Sequence, residues 1–209
     1  MKLFALLLLS SAAFAQTPAP QPPPPDIPKY PPGLYARIET SVGTITAQLF
    51  QKETPRTVQN FIGLSRGTEG WLDPKTKKPT KAPLYQNLIF HRVIPDFMIQ
   101  TGDPTETGAH NCGFTIPDEF VANLKFDRPG RLAMANLGPK TAACQFFITE
   151  DKYPSGNGKY TIFGQVVEGQ ELVTKISHVV RDPNDKPLLP TKLIKITFLR
   201  MPGDDTPAQ

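Results

Sequence analysis

In the stretch FHRVIPDFMIQTGD, Phe90 to Asp103, one fixed positive charge stands inside an apolar run. Arg92 is surrounded by Ile89, Phe90, Val93, Ile94, Phe97, Met98 and Ile99. A guanidinium keeps its proton near neutral pH and carries five donors in a planar fork. It is therefore either a structural charge with a partner or a donor aimed at a substrate. Gln100, Asn136 and Gln145 are further polar residues in β-like segments, beside Phe97, Met98, Phe146 and Phe147. Such a set serves either a binding cleft or a core whose polar groups satisfy one another.

Other chemistries lack their residues. GLSRG, Gly63 to Gly67, matches a nucleophile pattern, but that pattern needs a strand-to-helix turn and here it falls at the end of a helix. GNGKYT, from Gly156, lacks the third glycine of a dinucleotide loop and enters a strand. Two cysteines and the dispersed His91, His110 and His178 make no zinc pattern. Nothing points to covalent, metal or redox catalysis, and no cofactor is expected.

The elements that must position the polar set follow from periodicity. LYARIET and TITAQLF alternate about a turn at Ser41–Gly43, the pattern of a β-hairpin. TPRTVQNFIGLSRG predicts a helix, which Thr54 can N-cap, with Pro55 fitting the first helical position and Gly67 able to end it. A long loop is expected to about Leu84, then strands at NLIFHRVI, FMIQTG, RLAMAN, QFFITE and YTIFGQVVEG. QELVTKISHVV predicts a second helix and KLIKITFLR a closing strand. Many short strands and two distant helices predict a closed β-barrel with helical lids.

Length and composition suit one domain, here residues 34–201, with extensions. The net charge of +4 is spread out, and the densest cluster, PKTKKPTK from Pro74, is a solvated loop rather than a nucleic-acid site. Residues 1–15, MKLFALLLLSSAAFA, have Lys2, an apolar core from Leu3 to Leu9, and Ala13 and Ala15 spaced as A-x-A. That predicts a signal peptide cleaved before Gln16 and an exported product. The apolar core is too short for a membrane span and no later segment is long enough, so the mature chain is expected to be soluble. Residues 16–33 are proline-rich: nine of the chain's 24 prolines lie between Gln16 and Pro32, which predicts an extended tether. Residues 202–209 are expected to be a disordered tail. Export permits a disulfide between the two cysteines, Cys112 and Cys144.

FHRVIPDFMIQTGD, RLAMANLGPKTAACQFFITE and YTIFGQVVEG closely resemble the cyclophilins, the peptidyl-prolyl cis-trans isomerases inhibited by cyclosporin. PRTVQNFIGLSRG resembles that family's first helix, and the likeness runs in order from about Tyr35 to Leu199. It implies a closed eight-stranded antiparallel barrel capped by two helices, with the active site on the outer face. It places the catalytic arginine at Arg92, the proline pocket at Phe97, Met98 and Phe147, and hydrogen-bonding residues at Gln100, Asn136 and Gln145. His91, Ala135, Leu137 and Tyr160 would complete the substrate path. Ser155 stands where vertebrate members carry tryptophan, Gly156 replaces a leucine, Tyr160 a histidine, and Thr101 the glycine of the usual QGGD. These departures bear on drug affinity and pocket shape more than on the reaction.

The resemblance also implies that the Cys112 and Cys144 segments approach each other beside the groove, which makes a Cys112–Cys144 bridge the expected pairing. The expected activity is isomerisation of X–Pro bonds in exported polypeptide clients by a monomer. The alternative is a proline-peptide-binding or chaperone module that uses the same groove without turnover.

Overall fold

The alternating segments form strands in the computed structural model, which describes residues 30–203. The predicted signal peptide, most of the tether and residues 204–209 lie outside the described residues. β1 (Gly33–Thr40) and β2 (Gly43–Leu49) are the expected hairpin, and β11 (Lys192–Met201) returns along β1 from Gly33↔Met201 to Thr40↔Leu193. Between them come β5 (Leu88–Ile89), β6 (Arg92–Ile94), β7 (Met98–Thr101), β8 (Arg131–Met134), β9 (Phe146–Thr149) and β10 (Ile162–Glu168). The sheet order is β5-β11-β1-β2-β10-β8-β9-β7-β6, antiparallel throughout.

The expected closed eight-stranded barrel is thus corrected to a curled sheet of nine strands whose edges, β5 and β6, are not laddered to each other. The single strand expected at NLIFHRVI divides because it changes partners: β5 pairs with β11, while β6 pairs with β7. Only Phe90 and His91 separate the two edges. Thr101, the residue that departs from QGGD, is fully buried and donates its hydroxyl to the Ile89 carbonyl at 2.8 Å. It stitches the seam from the main-core side, opposite Phe146, and not from the face that carries Met98 and Phe147. The loop expected before Leu84 also contains a small hairpin, β3 (Trp71–Leu72) with β4 (Pro79–Thr80).

Strand alternation divides the side chains between two faces. Val93, Ile99, Leu132, Met134, Phe146, Ile148 and Phe163 point into the main core. Met98, Ala133, Phe147 and Ile162 join a second apolar cluster with Phe126 on the other face. The helix α1 (Pro55–Arg66) fills the main core with Phe61, whose ring centroid lies 5.1 Å from Phe163, 5.2 Å from Phe146 and 5.4 Å from Tyr85. Gly67 ends it in the left-handed region at φ 74°, where a Cβ would come within 2.2 Å of the Lys81 carbonyl. Thr54 is not the side-chain cap: its hydroxyl donates back to the Phe50 carbonyl at 3.0 Å. The carboxylate of Glu119 caps instead, accepting from Arg56 N at 3.1 Å and Thr57 N at 2.8 Å. Ser65, of the discarded nucleophile pattern, is buried and donates to the Phe61 carbonyl.

The second helix, α2 (Gln170–Ser177), is shorter than QELVTKISHVV predicts. Ser177 turns its hydroxyl to Glu150 and His178 lies against the same carboxylate, so the chain leaves the helix there. Among the described residues no helix is long and apolar enough to cross a membrane.

Candidate active site

Register brings the outward residues of five strands into one row. Arg92 lies opposite Gln100, Gln100 opposite Phe147, Phe147 opposite Ala133, and Ala133 opposite Ile162. The charged end of the row stands in a groove of about 740 Å³. His91, Phe97, Met98, Ala135, Asn136, Leu137 and Tyr160 line it with Arg92, Gln100 and Phe147. Gln145, the remaining expected site residue, lines an adjoining recess of about 60 Å³ together with Gln100.

Three side chains form a directed relay. Arg92 Nη1 donates to Gln100 Oε1 at 3.5 Å, and Gln100 Nε2 donates to Gln145 Oε1 at 2.8 Å. Gln145 Nε2 donates to the carbonyls of Gly108 and His110 at 3.0 and 2.9 Å. Those carbonyls can only accept, so each amide in the relay has one allowed orientation.

The apolar floor is braced from behind. The Phe147 ring stacks on Phe126 at 5.9 Å and meets the edge of Tyr160 at 5.3 Å. Tyr153 packs on Phe97 at 4.5 Å. Burial and the neighbouring Tyr153 push the Tyr160 phenol up, so it stays neutral across the physiological range. Phe97 follows the Pro95-Asp96 turn, in which Asp96 adopts φ 59°. Glu150 holds that turn: its Oε2 accepts from Asp96 N at 2.8 Å, and its backbone N–H donates to the Phe97 carbonyl at 2.7 Å. The same carboxylate accepts from Ser177 Oγ at 2.6 Å and lies 2.9 Å from His178 Nε2, tying α2 to the pocket.

The walls come from three loops. Residues 103–110 wrap the buried carboxylate of Asp103, which accepts from Thr105 N at 2.7 Å, Gly108 N at 2.6 Å and His110 N at 3.4 Å. Burial alone would raise this carboxyl, and the hydrogen bonds from Thr105, Gly108 and His110 outweigh it and hold the group below its ordinary range. His91 lies beneath Gly108, 4% exposed, with neither ring nitrogen hydrogen-bonded among the described residues. Burial pushes its pKa down, so it is a neutral imidazole at pH 7. In the second loop Asn136 spends its side chain on structure, donating from Nδ2 to Lys159 O at 2.8 Å and accepting from Gly138 N at 3.2 Å. Leu137 is 89% exposed at the rim. The third wall, with Asp182, Asn184 and Lys186, was not expected from sequence, and neither were Glu106 to Ala109. These residues lie in loops without hydrophobic period, and only the turn-forming RDPND hints at a built structure.

Cys112 and Cys144 form a disulfide with Cα atoms 6.2 Å apart, as the resemblance implied. It joins the end of the 103–110 wall to the residue preceding Gln145. Ser155 is exposed, in the short turn Pro154–Gly156.

The family model for cyclophilin type peptidyl-prolyl cis-trans isomerase/CLD matches residues 35–198. This chain belongs to the cyclophilins. Among its relatives, peptidyl-prolyl cis-trans isomerase A of Mycobacterium tuberculosis is 44% identical over 165 residues, covering 78% of this chain and 91% of that protein. Peptidyl-prolyl cis-trans isomerase B of Streptomyces anulatus is 41% identical over 158 residues, covering 74% and 90%. A crystal structure of a Cryptosporidium parvum cyclophilin type peptidyl-prolyl cis-trans isomerase superposes with a TM-score of 0.70 at 34% identity, covering 80% of this chain and 98% of that one. The same Cryptosporidium parvum cyclophilin in the presence of the dipeptide Ala-Pro gives a TM-score of 0.69 at 33% identity.

Proposed function

We propose that this cyclophilin-type peptidyl-prolyl cis-trans isomerase turns X–Pro bonds in exported polypeptides, with Arg92 as its catalytic donor. The observation that carries the reading is Arg92 at the groove, across from Gln100 and two strands from Phe147. Rotation about an X–Pro bond meets a barrier of about 20 kcal/mol because amide resonance is lost. In the twisted state the proline nitrogen turns pyramidal and regains a lone pair. A guanidinium N–H donated to that nitrogen stabilises the twisted state and offers little to the planar one, so it lowers the barrier. Phe97, Met98 and Phe147 hold the ring, Gln100 orients Arg92, and the Asn136 backbone holds the peptide. No proton or electron is exchanged, and the chemistry calls for no cofactor.

Export is supported by the N-terminal pattern of Lys2, Leu3–Leu9, Ala13 and Ala15, and by a disulfide, which suits an oxidising compartment. The clients are unfolded or partly folded chains that display proline. Intact mass of the protein recovered from an exporting host should show a chain beginning at Gln16; one retaining Leu3–Leu9 overturns this part of the reading.

Arg92→Ala should lower turnover of a proline peptide in a protease-coupled assay by one to three orders of magnitude, about 1.4–4 kcal/mol of transition-state stabilisation. Arg92→Lys should recover little, since an ammonium lacks the planar fork. Undiminished turnover in a folded Arg92→Ala protein overturns the mechanism. A wild-type protein that binds the peptide without turning it over would instead be the binding module.

A further inference from the structure

The guanidinium of Arg92 is held from a second side. Its Nε lies 3.7 Å from Asp185 Oδ2, while Nη1 is engaged by Gln100. Asp185 belongs to the loop that forms the third wall, closed by a bridge between Arg181 and Pro187. Asp182 braces that loop from within, with its Oδ1 accepting from Asn184 N at 2.8 Å and Lys186 N at 2.9 Å. Asp185 itself sits at φ 64°, a conformation open to Asp, Asn and Gly but disfavoured elsewhere. Its carbonyl accepts from Val93 N at 2.9 Å, on the free edge of β6. Backbone and side chain of one residue therefore grip neighbouring positions of the strand that carries the arginine.

We propose that Asp185 is a positioning residue for Arg92, fixing the fork with Nε turned to the loop and the Nη2 hydrogens left for the substrate amide. The proposal rests on the reading of Arg92 as the donor. An arginine with four rotatable side-chain bonds loses most of its effect if it must be ordered at each turnover, and a carboxylate at Nε with an amide at Nη1 defines the plane of the fork. Arg181 Nε, 3.2 Å from Asp185 Oδ1, holds the carboxylate in turn. The Arg92 and Asp185 side chains are 44% and 30% exposed. A solvent-screened pair of this kind contributes little to folding stability, so its purpose is orientation.

Asp185→Asn keeps the size, the backbone conformation and the carbonyl that holds β6, and removes only the charge. It should lower kcat by about 5- to 30-fold, leave KM within about twofold and shift Tm by no more than about 3 °C. In an Arg92→Ala background the same substitution should have no further effect on kcat. Should the asparagine protein fold poorly, Asp185→Gly offers the same backbone freedom and the same comparison. Wild-type kcat in Asp185→Asn, with Arg92→Ala impaired, overturns the positioning role alone. An equal loss in both backgrounds also overturns it, because Asp185 would then act independently of Arg92. Unimpaired Arg92→Ala overturns the underlying reading of the arginine instead.

Discussion

Arg92 is a mobile side chain made directional by neighbours that can each act in only one sense. Gln100 must accept from it because Gln100 must also donate to Gln145, and Gln145 must donate to two carbonyls. Gln100→Glu would place a charge where an amide now spans the relay and would break its link to Gln145. Ser155, exposed in the Pro154–Gly156 turn, offers no aromatic surface where the resemblance places a tryptophan, and the rings here come from Tyr153 against Phe97 and Tyr160 against Phe147. Cyclosporin should therefore bind weakly, and Ser155→Trp should tighten it by adding burial and an indole donor. Titration showing nanomolar inhibition of the unmodified protein would contradict this assignment. The residues alone showed only a charge and amides among apolar neighbours; their assignment to one site, including Phe97, Asn136 and Tyr160 off the strands, came from the resemblance to the cyclophilins. Asp185 was not legible: it reaches Arg92 from 93 positions away, in a loop whose sequence specifies a turn but not its target.

Two carboxylates brace the elements around the groove, and each gives a test. The 103–110 wall is folded around Asp103, whose pKa is lowered on folding. Its contribution to stability is therefore complete above the ordinary value near 3.8 and is lost as pH falls through the lower folded value. Stability followed by denaturant titration should vary little from this group between pH 7 and 5 and decline below about 4. Asp103→Asn should cost about 1–3 kcal/mol at neutral pH and flatten the acid decline; an unchanged acid limb would show that another group governs it. Glu150 clamps the Pro95-Asp96 turn and α2 through its contacts with Asp96, Ser177 and His178. Glu150→Ala should cost about 2 kcal/mol and raise KM through a loosened Phe97, and an unaltered KM would separate that clamp from the pocket. The Asp103 clamp is local, an Asx-type turn onto Thr105 and the residues just after it, whereas Glu150 reaches Asp96 and Ser177 from far along the chain and has no local signature. The N-cap shows the same limit: Thr54 had the right type and place, yet Glu119, distant in sequence, supplied the acceptor.

The molecule as a whole has one covalent cross-link, between residues 32 positions apart. Constraining a loop of that size in the unfolded chain stabilises by about 3–4 kcal/mol in the chain-entropy model. Cys112→Ala with Cys144→Ala should lower the free energy of unfolding by that order. Loss of less than about 1 kcal/mol would show that the wall is held by Asp103 and Gln145 without it. Strand identity and the two helices followed from periodicity, whereas the strand count did not: a segment of seven residues, Leu88 to Ile94, divides its loyalty between β11 and β7, and no alternation records a change of partner. The row from Arg92 through Gln100 to Phe147 has a further consequence. Adjacent strands lie about 4.8 Å apart, so the backbone of the charge and the backbone of the pocket floor are separated by roughly 10 Å, two strand intervals. The sheet acts here as a ruler. Loops can widen or narrow the mouth of the groove, but no loop can alter that interval, and a shorter cation at position 92 cannot be compensated by moving it closer. On the proposed mechanism one proline ring and one amide fit between the marks, and the lattice spacing of a β-sheet sets that measure.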